Sequence, residues 1–375
     1  MKIQISNGMF MALIINLIYA KAIGLTQGSM AREIGNDMWV ATFLSILQGL
    51  VIMFITIKVL KRTPEHNVMQ QSAMLMGKWA GKFVALLLFL FLTAAYGAVL
   101  ATFVYHLNDY FLPDAPILVF VLIALLVGIY ATFFGIEVIG RMALIGVLSL
   151  FLLNILILMG SISYFDIREL MPVLETGIGR TAWASRFHNT DWAIATIMAA
   201  ILLPNVKDKG TWGSSGIMGL VFSGFMVILW PILEAGVLTA GVTGDYIISC
   251  MQMARSAEIG YFLHRYEMIM IAFFALSTFT QIMILYLCAS VCVKELFNLK
   301  DFRPAVIPSS LILSALGYLL VTDHGRSMIF IEKYWVIGCL VFAIPFPIIL
   351  WILGSIFKKK LKKKKLEAQN KNKGQ

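Results

Sequence analysis

Apolar residues run along this chain in stretches of about 20, separated by short polar segments. A helix rises about 1.5 Å per residue and the hydrocarbon core of a bilayer is about 30 Å thick, so each stretch is long enough to cross it. The pattern predicts ten spans, over residues 8–30, 38–60, 80–106, 116–134, 142–164, 190–206, 215–241, 265–293, 304–322 and 334–357. No segment between them is long enough for a separate soluble domain. Residues 1–357 therefore read as one transmembrane domain and residues 358–375 as a basic tail. The longest outer segments, 165–189 and 242–264, carry glycine, aromatic residues and both signs of charge, and predict short interfacial helices. Lys2, the first apolar run and Ala20-Lys21-Ala22 imitate a signal peptide. The apolar pattern continues through Ile23 and Gly24, so the segment reads as an uncleaved first span.

Composition agrees. Of 375 residues, 60% are apolar and 13% charged. Soluble domains have roughly 45–50% and about 25%, so that class is excluded. Disorder, collagen and a disulfide scaffold are excluded too, since Cys numbers only 4. Cys288 and Cys292 share one helix face and read as small packing residues. The net charge of +10 is concentrated in nine lysines between Lys358 and Lys373. They read as a solvated tail facing anionic lipid rather than as a nucleic-acid site. With the N-terminus inside, 21 of the 30 basic residues fall on the inner side and eight outside. That bias predicts both termini in the cytoplasm. Trp183, Trp192, Tyr246, Tyr261, Tyr334 and Trp335 lie near span ends, as an aromatic belt would.

Polar residues inside spans carry the functional signal, because each costs several kcal/mol unless it faces a cavity or a partner. Lys21 is the sharpest, being near the middle of the first span. It is read as a cation in a binding cavity, holding a carboxylate or occupying the place of a coupling ion. The bland alternatives are a snorkelling lysine and a structural ion pair. Asn16, Gly24, Thr26, Gln27, Gly28 and Ser29 make span 1 a poor continuous helix. Span 6 carries Asp191, Thr196 and Pro204-Asn205. Spans 1 and 6 occupy matching positions if the chain divides into two five-helix halves, and interrupted helices at matching positions mark a transporter-type site. Weaker signals are Thr93 and Tyr96 on one face of span 3, and Ser277, Thr278, Thr280 and Gln281 in span 8. Glu137 and Arg141, four apart, predict a helix-end ion pair. Glu234 is a possible partner for Lys21, or a local cap. The five histidines show no metal-ligand spacing, and no nucleotide loop or serine elbow occurs. The chain reads as a non-enzyme without a cofactor.

Several stretches, in order, are similar to one family. They are Leu75-Met76-Gly77-Lys78-Trp79-Ala80-Gly81-Lys82, Gly135-Ile136-Glu137-Val138-Ile139-Gly140-Arg141, Leu170-Met171-Pro172-Val173-Leu174 with Gly177, Leu203-Pro204, and Phe297-Asn298-Leu299-Lys300-Asp301-Phe302-Arg303-Pro304. With ten spans and a short basic tail, the chain resembles the spore germination permeases. These are the B subunits of endospore nutrient germinant receptors, within the amino acid–polyamine–organocation transporter superfamily. The resemblance implies an all-α membrane protein, a 5+5 inverted repeat with helices 1 and 6 broken at mid-membrane. It implies an amino acid or similar small nutrient as ligand, and an A-type membrane subunit and a C-type lipoprotein as partners in the inner spore membrane. The family's glycine-rich break in span 1 is replaced by Ala20-Lys21-Ala22, and Thr196 and Met198 align in the pocket region of span 6. The expected ligand-binding set is Asn16, Lys21, Ala22, Tyr96, Asp191, Thr196 and Gln281. The expected function is germinant sensing; the alternatives are a proton- or sodium-coupled amino-acid permease and an assembly subunit with a vestigial pocket.

Overall fold

A computed structural model describes residues 4–258 and 266–357. The basic tail, Lys2 and Tyr261 lie outside the described residues. Span 1 is α1 (Asn7–Gly24) followed by α2 (Thr26–Ile34), and span 2 is α3 (Met38–Leu60). With the face that holds the N-terminus called inner and the opposite face outer, α4 (Val68–Met76) on the inner face leads into α5 (Lys78–Tyr110), which is span 3. Spans 4 and 5 are α6 (Ile117–Phe134) and α7 (Ile136–Ser161). Span 6 is α8 (Ile178–Ala184) and α9 (Arg186–Leu202), and span 7 is α10 (Trp212–Leu233) with a wide turn, Glu234–Leu238. Two outer helices follow, α11 (Ala240–Asp245) and α12 (Ser249–Ser256). Spans 8 and 9 are α13 (Glu267–Phe297) and α14 (Arg303–Val321). Span 10 runs through α15 (His324–Ile329), α16 (Val336–Gly338) and α17 (Pro345–Ile356).

Nine helices among the described residues are long and apolar enough to cross a membrane. The remaining predicted span, α9, has 17 residues and is buried from Phe187 to Leu202. Its polar start at Arg186 falls in the predicted outer segment 165–189; a buried helix at the centre of a bundle need not be apolar throughout. Spans 3 and 5 also begin earlier than predicted, at Lys78 and Ile136. Each starts directly after a glycine, Gly77 at φ 106° and Gly135 at φ 89°. Glycine reaches those angles at no steric cost, so the preceding helix stops and the next begins without a loop. Span 10 starts at His324, ten residues before its predicted edge, capped by the Asp323 side chain, which accepts from the Arg326 N–H at 2.9 Å.

The helix pairings come in matched sets. Span 1 packs on span 7, and span 6 on span 2; span 1 packs on span 5, and span 6 on span 10. Span 3 packs on span 9, and span 8 on span 4, while 1 packs on 6, 2 on 7, 3 on 8 and 4 on 9, each on its own counterpart. Exchanging the first five spans for the second five preserves the pattern. Five is odd, so the second half runs through the bilayer in the opposite sense. The fold is a 5+5 inverted repeat. Spans 1 and 6 are its centre, whereas peripheral spans turn residues such as Leu126, Phe225 and Val341 outward.

Both central spans are interrupted. In span 1 the helix leaves α geometry at Leu25 (φ −122°, ψ −1°), so Ala20-Lys21-Ala22 is helical, and the interruption lies four residues beyond Lys21. Alanine and lysine are good helix formers and do not break it. Gly24 instead lies hard against Thr102 and His106 of span 3, where an added Cβ would be 2.7 Å from Thr102. Span 6 turns at Ser185 and ends at Leu202, before Pro204. Of the predicted aromatic belt, Trp183 and Tyr334 are exposed, whereas Trp192 and Trp335 are buried. Trp192 packs inward against Gly49 of span 2 and donates to Ser45.

Candidate functional site

Lys21 stands in the last turn of α1, where the negative end of the helix dipole favours a cation. Its Nζ donates to Asp191 Oδ1 at 2.8 Å and to Thr190 Oγ1 at 2.8 Å, joining the two interrupted spans. The side chains of Lys21 and Asp191 are 4% and 0% exposed. His188, one turn before Asp191, donates from Nδ1 to Asp191 Oδ2 at 3.1 Å. The carboxylate is therefore held at both oxygens, and the His188 Nε2 atom is buried with no partner among the described residues. An ammonium has three N–H groups. Two of Lys21's are used by Thr190 and Asp191.

The predicted partner Glu234 does not meet Lys21. It is buried at the end of span 7 and accepts from Ser249 Oγ of α12 at 2.5 Å. Its helix end meets α12, whereas Lys21 meets span 6.

The other expected site residues form separate groups. Gln281 of span 8 donates to the carbonyls of Asn16 and Leu17, and Ser277 donates to Asn16 O at 3.3 Å. Asn16 turns to span 5, donating to Ala143 O at 2.8 Å. Tyr96 belongs to a hydroxyl cluster between spans 3, 8 and 9: Tyr286 donates to it at 2.8 Å, and Ser314 Oγ lies 3.0 Å away. Thr196 donates to its own helix at Ala193 O, 2.9 Å, and faces span 2 and Phe346 of span 10. Ala22 is buried in α1 beside Lys21. The structure thus joins Lys21 to Asp191 and leaves Asn16 with Gln281, Tyr96 and Thr196 in three further places. Thr278 and Thr280 bond back to their own helix, as does Thr93. Glu137 and Arg141 pair at 2.7 Å at the inner end of span 5.

The outer half of span 1 is fastened down. Arg186, the first residue of α9, holds Glu33 through two bonds of 2.8 and 2.6 Å, a bidentate geometry. Arg32 donates to Glu332 of span 10 at 2.6 Å and to Gly244 O of α11 at 3.0 Å. Cys250 of α12 is buried, 3.6 Å from His106 Nε2. Sequence reasoning missed these residues; the adjacent opposite charges of Arg32-Glu33 beside an apolar run were the available signal. On the inner side a cavity of about 540 Å³ opens among Asn67, Gln70, Pro204, Lys294, Lys300 and Arg303.

The family model described as "Spore germination protein" matches residues 4–323. The chain belongs to the spore germination protein family. Among curated family members, spore germination protein KB of Bacillus subtilis (strain 168) is 25% identical, covering 99% of this chain and 100% of that protein. Spore germination protein YndE of the same organism is 23% identical over 84% of this chain and 87% of its own length. Solved transporter structures share the fold of this spore germination protein. The nucleobase-cation-symport-1 family transporter Mhp1, closed with bromovinylhydantoin bound, superposes with a TM-score of 0.63 at 15% identity, over 95% of this chain and 79% of its own. A Na+-coupled sialic acid symporter in a substrate-bound outward-open state gives 0.60 at 14% identity, over 91% and 79%.

Proposed function

We propose that this spore germination protein is the membrane subunit of a nutrient germinant receptor, located in the inner spore membrane with both termini cytoplasmic. It binds an amino acid or similar small nutrient and signals to an A-type membrane subunit and a C-type lipoprotein. The observation that carries the reading is the buried Lys21–Asp191 pair, which links the two interrupted spans of a transporter-type fold. The ligand enters from the outer face when the Arg186–Glu33 and Arg32–Glu332 contacts part. Its carboxylate meets the third N–H of Lys21, and its remaining polar groups meet the backbone at Leu25, His188 Nε2 and the span 1–8 contact at Gln281. Binding favours one arrangement of the helices, and partner subunits respond to that shift.

The cavity on the inner side supports a second reading, an amino-acid permease that releases its substrate to the cytoplasm. One experiment separates the two. A labelled amino-acid panel is offered to proteoliposomes with and without an imposed proton or sodium gradient. Saturable binding without accumulation is the receptor's result. Uptake beyond one ligand per protein that grows with the gradient is the permease's, and overturns the receptor reading.

A further inference from the structure

We propose that Lys21 is a tethered counter-cation: its ammonium permanently fills the place that a mobile sodium ion or other monovalent metal cation would take beside Asp191. The inference deepens the reading of this pair as the ligand site, because it fixes what that site does not need.

The argument starts from charge. A carboxylate with no exposed surface, between helices in a bilayer, requires an opposite charge close by, or its desolvation goes uncompensated. In interrupted-helix proteins the exposed carbonyls at half-helix C-termini serve coupling cations, and N-termini serve anionic ligand groups. Here the C-terminal turn of α1 already carries a cation, and that cation is covalently attached. It lies 2.8 Å from Asp191 Oδ1, and the second oxygen accepts from His188. The local charge of the pair sums to zero. A sodium ion brought to Asp191 would stand within a few ångströms of the ammonium, in surroundings where like charges repel far more strongly than in water. One turn before Lys21, the carbonyls of Asn16 and Leu17 accept from the Gln281 amide. What a coupled transporter obtains from solution, this chain holds in its own sequence. The positive charge that Asp191 needs is present at every ion concentration.

The test uses the full chain in lipid nanodiscs, with no germinant. Thermal unfolding is followed in sodium, lithium, potassium and choline chlorides at equal ionic strength. The wild type is expected to unfold at the same temperature in all four. Lys21→Met, which leaves Asp191 uncompensated, is expected to gain a melting-temperature rise of several degrees in sodium or lithium over choline. Lys21→Met with Asp191→Asn is expected to lose that rise. Sodium-specific stabilisation of the wild type would overturn the proposal, as would a folded Lys21→Met variant indifferent to every cation. Should Lys21→Met yield no folded protein, Lys21→Arg is measured beside the wild type. Cation indifference of both supports the proposal, and sodium-specific stabilisation of either overturns it. Because no germinant is present, a failed amino-acid panel would remove the receptor reading and leave this result standing.

Discussion

Gln281 donates both hydrogens of its amide nitrogen to span 1, to Asn16 O at 2.9 Å and Leu17 O at 2.8 Å. Those carbonyls lie one turn before Lys21, so span 8 holds the segment of span 1 that presents the ammonium. Interhelical hydrogen bonds inside membranes contribute about 0.6 kcal/mol each, with a maximum near 1.7. Gln281→Leu keeps the volume and removes both. It is expected to lower stability by roughly 1–2 kcal/mol in denaturant unfolding, and to weaken labelled-ligand binding more than the loss of stability accounts for. Binding that falls only in proportion to the folded fraction would show that Gln281 is scaffold alone.

Lys21→Met is expected to abolish ligand response while the protein still inserts into membranes. Breaking a buried pair by removing one partner costs about 3–5 kcal/mol, since the other charge stays behind. The loss should therefore exceed that at Gln281. Adding Asp191→Asn removes the stranded charge and should recover most of the stability but none of the binding. A normal ligand response in Lys21→Met would remove Lys21 from the site.

The Arg186–Glu33 pair is partly buried, with side chains 16% and 24% exposed, and bidentate. It ties α2 to the start of α9. Cys250 of α12 is fully buried. Burial pushes its thiol well above the ordinary value, and the thiolate is the reactive form, so labelling requires opening. With Cys288, Cys292 and Cys339 replaced by serine, Glu33→Gln should raise the rate at which a hydrophilic maleimide labels Cys250 by about tenfold, the factor that 1.4 kcal/mol supplies. An unchanged rate would show that the outer face is held shut by other contacts.

From native spore membranes, an affinity-tagged copy of the chain should co-purify with a larger membrane subunit and a lipoprotein. Mass spectrometry of the mild-detergent eluate identifies them. A well-behaved monomer from that source would count against the receptor reading.

Much of this molecule is legible in its sequence, and the rest is hidden for identifiable reasons. Apolar run length found the spans, because crossing a bilayer requires it. Lys21 and Asp191 were both singled out, because each is conspicuous in apolar surroundings. Their pairing was not found: the residues are 170 positions apart, and only the packing of span 1 on span 6 brings them together. Glu234 reads from sequence as a partner for Lys21 or as a local cap; in the fold it accepts from Ser249 of α12. The start of α9 was misplaced because Arg186 and His188 make a polar edge resemble a loop; in the fold Arg186 fastens the outer face and His188 supports Asp191. Tyr96 stands out in sequence as a polar residue in a span, and in the fold its hydroxyl meets Tyr286 and Ser314. A tyrosine in a span signals a hydrogen-bond partner, and sequence does not say whether that partner is protein or nutrient.

The Lys21–Asp191 pair has an electrical consequence. Moving one elementary charge through a membrane potential involves about 2.3 kcal/mol per 100 mV. Lys21 and Asp191 contribute opposite charges 2.8 Å apart, so a rearrangement that carries both together does almost no work against the field. Voltage then neither drives nor opposes a displacement of the pair itself. A receptor built on this pair, as proposed above, would respond alike in an energised membrane and in one whose potential has collapsed.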